Sequence, residues 1–108
     1  MAIDFQQARR PIRFWLQRRF RGWDDSETWN LDFEFGKWVL PRVRRFKELE
    51  RGYPKGLTEQ EWNGILDQMI AGFALVAGDS YWLLSPDDEA VVNNAFALFG
   101  KWGRALWS

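Results

Sequence analysis

The residues best suited to recognition chemistry lie in one stretch between Trp38 and Phe46. Arg42 and Arg45 are three positions apart there, a spacing that places both guanidinium groups on one face of a helix. Such guanidinium forks bind carboxylates and phosphates through paired hydrogen bonds, and neighbouring aromatic rings offer stacking surfaces for a base. The pattern is typical of a surface that recognises an anionic or aromatic ligand.

A second candidate is the acidic turn between Trp23 and Trp29. Two indoles around carboxylates could form an acidic pocket with aromatic walls. Carboxylates near a helix start more often cap it, however, and Trp is usually buried for its area. We therefore expect Asp24, or one of the two residues after it, to cap a short turn that both indoles pin to the core. Asp32 in turn opposes the positive end of the next helix.

The composition removes most catalytic and metal chemistry. The chain has 108 residues with no Cys and no His, so thiolate chemistry and the commonest general base and metal ligand are absent. Its paired carboxylates lie near helix starts, where capping explains them, and no phosphate-loop motif is present. We expect a non-enzymatic protein that needs no cofactor and no metal.

Charge is unevenly distributed, although the formal net charge is zero. Residues 1–56 hold 13 Lys and Arg against 8 Asp and Glu, and because the chain holds 15 of each, residues 57–108 hold 2 and 7. The two halves therefore carry +5 and −5. Either the halves neutralise each other, or the basic half is available to an acidic partner. Composition leaves both alternatives open.

Apolar residues at helical spacing predict the elements that position these side chains. Pro41 lies inside the second helix, where its missing N–H predicts a kink rather than a break. The sequence predicts an all-α fold, a compact bundle of about four main helices in a single domain of residues 1–108, with residues 1–8 frayed. The predicted helices run from about Pro11 to Arg21, from Leu31 to Arg51, from Thr58 to Ala77, and onward from Pro86. The apolar stripe of the third helix is wide enough for a central place in the bundle, and the last helix carries an apolar stripe that includes Phe99 and Leu106.

Two helix starts carry clear capping patterns. Thr58 is followed three positions later by Glu61, which predicts a capping box. Ser85 precedes Pro86 and a run of acids, which predicts an N-cap with proline in the first turn.

The first predicted helix is amphipathic and basic. Its apolar face carries Ile12, Trp15, Leu16 and Phe20. That pattern also suits a membrane surface or a nucleic-acid contact. We favour a solvated basic face with the apolar face in the core, because a short chain can hardly spare an apolar face.

The aromatic ends of the bundle predict a further contact. Tyr81, Trp82 and Trp107 could cover the bundle end, or they could meet another subunit. Homo-oligomerisation through these residues is therefore a separate prediction.

Localisation follows from what the sequence lacks. No run approaches the roughly 20 apolar residues of a membrane span, and the N-terminus shows no signal-peptide pattern. We expect a cytoplasmic protein with no membrane partner.

Three strings also carry a resemblance to a known family: GWDDSETWNLDFEFGKWVLPRVRRFKE, GYPKGLTEQEWNGILDQMI and FALFGKWGRALW. They resemble small proteins of tailed-phage and prophage genomes, which share T-W-x-L-D after an aromatic residue, L-P-R-x-x-R-F at a helix end, then G-Y-P and an E-E-W-type capping helix. The resemblance covers most of residues 20–107 and implies a phage context without a mechanism. The matching residues are Trp23, Thr28, Trp29, Leu31, Asp32, Leu40, Pro41, Arg42, Arg45, Phe46, Gly52 to Pro54 and Trp62.

The leading expectation is thus a phage accessory protein that binds a host or phage protein in the host cytoplasm, with counter-defence inhibition as one specific form. Its many aromatic residues would serve as interface anchors. The rival is a nucleic-acid or nucleotide-binding protein of the sponge type, with phosphate contacts from Arg10, Arg13, Arg42 and Arg45. The residues considered for binding are Trp23, Asp24, Trp29, Asp32, Trp38, Arg42 and Arg45, and those for subunit contact are Tyr81, Trp82 and Trp107.

Overall fold

The computed structural model describes residues 5–107, of which residues 5–11 are described as backbone alone. Over residues 5–107 all regular structure is helical and no strand occurs, so the all-α prediction is confirmed. Short 3₁₀ turns lie at Asp25–Thr28, Tyr81–Leu83 and Gly103–Ala105. The four α-helices are α1 (Phe5–Arg21), α2 (Leu31–Glu48), α3 (Glu59–Val76) and α4 (Pro86–Trp102).

Backbone contacts group the chain into two compact units, residues 1–31 and residues 32–108. The first unit holds α1 and the 3₁₀ turn that follows it, and the second holds α3, α4 and all of α2 after its first residue. The single domain of residues 1–108 stays a prediction. Of the segment predicted to fray, residues 1–4 lie outside the described part, and the remainder is helical in its backbone.

The predicted caps of α3 and α4 are present. Thr58 Oγ1 accepts a hydrogen bond from Glu61 N at 3.1 Å, while Thr58 N donates to Glu61 Oε1 at 3.0 Å, which completes the capping box. Ser85 Oγ likewise accepts from Asp88 N at 3.1 Å, with Pro86 in the first turn of α4. Both patterns depend only on residues adjacent in sequence, which is why the sequence located these starts correctly.

Other helix boundaries differ from their predictions. The α1 helix begins at Phe5, earlier than the predicted start at Pro11. The α2 helix ends at Glu48 instead of near Arg51, because Glu50 adopts a left-handed conformation (φ 47°) that stops the helix before the glycine at position 52. The α2 helix continues through Pro41, so no break occurs, and a kink there stays a prediction.

The core of the second unit is centred on α3. Leu66, Met69 and Phe73 are buried, with 0 to 2% of their surface exposed. The Phe73 ring lies edge-on to Phe35 on α2 and to Phe96 on α4, with centroid distances of 5.6 and 5.3 Å. Since burying one large apolar side chain contributes about 1.5–3 kcal/mol, these contacts hold the three helices together. The wide apolar stripe of α3 predicted this central place.

A glycine lets α3 approach α4 closely. A Cβ atom placed on Gly72 would lie 2.2 Å from Ala95 Cβ and 2.8 Å from the backbone oxygen of Val91. Real atoms do not approach so closely, so this crossing requires a residue without a side chain. Gly36 on α2 has a similar role, because its Cβ would lie 2.6 Å from Val76 Cγ1.

The apolar face of α1 is exposed, which corrects the expectation that it is buried. Ile12, Trp15, Leu16 and Phe20 are 64, 57, 42 and 81% exposed. The buried cluster found among the described residues draws its members from α2, α3 and α4.

Candidate binding groove

A groove of about 310 Å³ opens along the C-terminal half of α2 and the end of α4, within the second unit. Its floor is formed by Val39 and Val43, which are core residues with 2 and 3% of their surface exposed. The groove is therefore backed by the packed interior and is largely apolar. Its lining consists of Trp38, Val39, Arg42, Val43, Phe46, Phe99, Gly103 and Leu106.

Trp38 and Arg42 form a stacked pair at the rim of the groove. The Arg42 guanidinium carbon lies 4.4 Å from the Trp38 ring centroid, and Arg42 Nη1 donates to the Trp38 backbone oxygen at 2.8 Å. A cation over an exposed indole contributes about 0.5–1 kcal/mol, so the ring and the hydrogen bond together orient the guanidinium. The Trp38 side chain is 55% exposed and available for contact.

The Arg42 charge has no acidic partner among the described residues, whose ion pairs all involve other cations. Within the described part of the chain, one of its N–H groups is engaged, in the hydrogen bond to the Trp38 backbone carbonyl. A guanidinium with free donors beside an apolar cavity suits a ligand that combines an apolar group with a carboxylate or phosphate. The sequence-based interpretation of Arg42 stays a prediction that this geometry supports.

Phe35 fixes the position of Trp38 from the core side. The two rings stack with centroids 6.5 Å apart, and Phe35 also packs against Phe99 at 5.2 Å. Phe99 itself lines the groove. The aromatic wall of the groove is thus packed against the interior, so ligand binding requires little rearrangement of these rings.

Arg45 does not line the groove with Arg42. Its Nη1 donates to Glu48 Oε2 at 3.1 Å, and both side chains are well exposed. The spacing of the two arginines is helical as predicted, but the Glu48 carboxylate one turn along engages Arg45 on the helix surface.

Asp24 acts as a cap in the first unit. Its carboxylate accepts from Ser26 N at 2.8 Å and also from Ser26 Oγ and Arg18, while Asp24 N donates to Glu27 Oε2 at 2.7 Å. The Ser26 hydroxyl, more than the Arg18 guanidinium, holds the pKa of Asp24 below its usual value. A buried carboxylate with this many donors supports the turn, as the capping interpretation expects.

The two indoles beside this turn are not buried, contrary to the expectation that they pin it to the core. Trp23 is 46% exposed, and the Arg21 guanidinium carbon lies 3.7 Å from its ring centroid. Trp29 is 58% exposed and meets the Phe14 ring edge-on at 5.6 Å. Each ring is thus exposed and has an aromatic or cationic neighbour within the first unit.

Asp32 and Tyr81 are joined by a hydrogen bond. The Tyr81 hydroxyl donates to Asp32 Oδ2 at 2.6 Å. This bond lowers the pKa of Asp32 and raises the pKa of Tyr81 to about 12. It connects the Tyr81–Leu83 turn to the start of α2, so the Tyr81 hydroxyl is occupied within the second unit. Trp82 and Trp107, the other residues predicted for subunit contact, are 78 and 73% exposed.

Sequence reasoning missed the far wall of the groove. Phe99 and Leu106 belong to the last apolar stripe of the sequence, which predicted core positions for both, and both are partly buried against the core cluster. Gly103 also lines the groove, and a Cβ there would be in ordinary contact with the Phe99 ring, at 3.5 Å. Only the crossing of α2 and α4 brings these residues opposite Trp38, and no local pattern encodes that crossing.

Comparison with protein-family models, with curated proteins and with solved structures finds no match to this chain. In the described part of the chain, no cluster of three or more acidic, His or Cys side chains is arranged to hold a metal ion. No helix that the structure describes is long and apolar enough to cross a membrane. The groove and its charges are therefore the features that point to a function.

Proposed function

We propose that this chain is a non-enzymatic binding protein that docks a protein partner in the groove beside α2. The observation that carries the proposal is the apolar cavity of about 310 Å³ whose rim holds Trp38 stacked with Arg42. Tryptophan and arginine dominate the binding energy of protein interfaces, above all where they border a desolvated pocket. A rim of this composition over a floor of core residues has the features of an interface hot spot.

The chemistry of the groove defines the segment that it accepts. The valine floor favours one large apolar side chain, whose burial contributes about 1.5–3 kcal/mol. Arg42, which has no acidic partner among the described residues, favours a carboxylate next to that side chain. The partner therefore presents an apolar side chain flanked by Asp or Glu.

The biological setting is part of the proposal. The resemblance of residues 20–107 to tailed-phage and prophage proteins supports a phage accessory protein that acts on a host or phage protein. The partner is then in the cytoplasm of the infected cell, and counter-defence inhibition is one specific form of this activity. We propose no membrane partner.

Affinity capture with matched tryptophan variants tests this function. Trp38 and Trp82 are both exposed, but only Trp38 lines the groove. We expect the wild type and Trp82→Ala to retain one stoichiometric partner from phage-infected cells, and Trp38→Ala to bind it about 30-fold more weakly, the loss of an interface hot spot. A partner held equally by all three proteins would place its site elsewhere, and repeated captures without a stoichiometric partner would refute the function.

Arginine variants test the charge requirement. Arg42→Gln keeps much of the side-chain stem but removes the cation, and we expect about 10-fold weaker binding to a partner that supplies a carboxylate. Arg44→Gln is the matched control, because Arg44 is exposed on the same helix and does not line the groove. Equal losses from both variants would indicate a diffuse charge effect rather than a defined contact.

The rival function, nucleic-acid or nucleotide binding by the basic half, is supported by one observation, the Arg42 guanidinium stacked on an exposed indole. Arg45, which the rival also needs, already faces a carboxylate. A screen against DNA, RNA and cyclic nucleotides at low and moderate salt separates the two functions, because phosphate contacts make affinity fall with salt. Absence of binding even at low salt would eliminate the rival, and nucleotide affinity abolished by Arg42→Ala would replace the protein-partner proposal.

A further inference from the structure

A second cavity, of about 300 Å³, lies between the loop that follows α2 and the segment that follows α4. It shares no lining residue with the groove beside α2. Its size is at the lower end of the range for small-molecule sites, about 300–1,000 Å³, and is sufficient for one small ligand. Nothing in the proposed function uses it.

Two aromatic side chains line this cavity. Tyr53 comes from the loop and Trp107 from the C-terminal segment, and they are 53 and 73% exposed. Exposure of large aromatic rings to water is unfavourable, and a planar ligand stacked on them would remove part of their surface from water. Aromatic platforms can stack any nucleic-acid base, because every base has a flat π-face. The flat walls therefore favour a ligand with an aromatic ring.

Two cations line the same cavity, Arg51 and Lys55, and no carboxylate side chain of residues 12–107 does. Neither cation forms an ion pair among the described residues, whose ion pairs involve other side chains. Glu50 precedes Arg51 in the chain but does not line the cavity. An arginine and a lysine without counter-ions suit a phosphate group, which both side chains bind in proteins.

The loop that carries these groups has a defined shape. Gly52 and Gly56 adopt φ angles of 99° and 96°, which other residues rarely adopt, and the Pro54 carbonyl accepts a hydrogen bond from Leu57 N at 3.2 Å. Pro54 further restricts the backbone between the two cations. The loop places Arg51, Tyr53 and Lys55 around the cavity.

We propose that this second cavity binds a nucleotide unit, with the base against Tyr53 and Trp107 and the phosphate on Arg51 and Lys55. The same chemistry is presented by a free mononucleotide and by a nucleotide of a single strand. The site is distinct from the nucleic-acid surface considered above, because neither Arg42 nor Arg45 lines it.

Calorimetric titration of the full chain tests the proposal with five probes: AMP, UMP, adenosine, inorganic phosphate and a short single-stranded oligonucleotide. We expect both nucleotides to bind, and adenosine and phosphate to bind at least about 10-fold more weakly, because each lacks one half of the interaction. Tighter binding of the oligonucleotide, with affinity that falls more steeply with salt, assigns the site to single strands. Equal or weaker binding of the oligonucleotide assigns it to free nucleotides.

Matched variants locate the site. Trp107→Ala and Arg51→Gln change exposed residues, and we expect each to weaken AMP binding at least about 10-fold. Trp82→Ala and Arg44→Gln, which alter an equally open indole and an exposed arginine elsewhere, should leave AMP affinity unchanged. Thermal melts of all four variants check that the fold is retained.

Three outcomes would overturn the proposal. They are no AMP binding at millimolar concentration and low salt, AMP affinity unaffected by both cavity variants, and phosphate binding as tight as AMP binding. Trp38→Ala should leave AMP affinity unchanged, so failure of this site and failure of the groove are separate results.

Discussion

Replacing Gly72 by alanine should destabilise the protein, whereas the same replacement at Gly64, also on α3, should stabilise it. A Cβ at Gly72 would lie 2.2 Å from Ala95 Cβ and 2.8 Å from the Val91 backbone oxygen. A Cβ at Gly64 would meet nothing within 4 Å. The two variants therefore differ in packing and share the same change in helix propensity.

The expected magnitudes follow from two opposing effects. Alanine in a helix interior is favoured over glycine by about 0.5–1 kcal/mol, and that gain applies at both positions. At Gly72 the added methyl group must push α3 and α4 apart, and overpacking of this kind costs about 1–3 kcal/mol, with the upper end expected where a backbone atom obstructs. We expect a net loss of about 2 kcal/mol at Gly72, which corresponds to a fall in Tm of about 8–16 °C.

Thermal and urea denaturation followed by circular dichroism measure both variants against the wild type. Gly64→Ala should raise the Tm by about 2–8 °C. The double variant Gly72→Ala with Ala95→Gly should recover part of the loss, because it removes the Cβ contact and keeps the contact with the Val91 oxygen. A Gly72→Ala protein as stable as wild type would show that α3 and α4 do not approach as closely as described.

Three further outcomes are expected. Thr58→Ala removes the capping box of α3 and should lower the free energy of unfolding by about 1 kcal/mol in urea melts. Unchanged stability would show that the cap does not stabilise the helix. Phe73→Ala should lower the free energy of unfolding by about 3–5 kcal/mol, and Phe20→Ala by at most about 0.5 kcal/mol. A large loss of stability in Phe20→Ala would mean that the apolar face of α1 is buried. The pKa of Asp32 is lowered from 3.8, and the pKa of Tyr81 is raised from 10.0 to about 12. Their hydrogen bond should therefore stabilise the folded state fully between pH 3.8 and pH 10.0. This stabilisation should decrease as the pH falls below 3.8 or rises from 10.0 towards 12. Tyr81→Phe should flatten both limbs of the stability profile, and identical profiles would contradict the bond.

The features that the sequence predicted correctly depend on neighbouring residues. The Thr58 and Ser85 caps, the proline after Ser85 and the wide stripe of α3 are all encoded within a few turns of one helix. The helical fold class follows from these local patterns, because each stripe repeats at the period of a helix.

The features that the sequence missed depend on tertiary packing. Phe20 and Trp23 are apolar enough for a core, yet both are exposed, and neither belongs to the buried cluster found among the described residues. Arg42 and Arg45 lie within one turn of each other on the same helix. Among the described ion pairs, however, Glu48 pairs with Arg45 and not with Arg42. The groove is lined by residues of α2 and of the end of α4, so it depends on how two distant segments pack together.

Photo-cross-linking at the groove tests the proposed function most directly. A photoreactive phenylalanine analogue replaces Trp38 in one protein and Trp82 in a control, two exposed positions of which only the first lines the groove. Irradiation in phage-infected cells should give one discrete adduct from position 38 and none from position 82, and the cross-linked partner peptide should carry Asp or Glu beside an apolar residue. An adduct from position 82 with none from position 38, or adducts with unrelated proteins from both, would contradict a docking role for the groove.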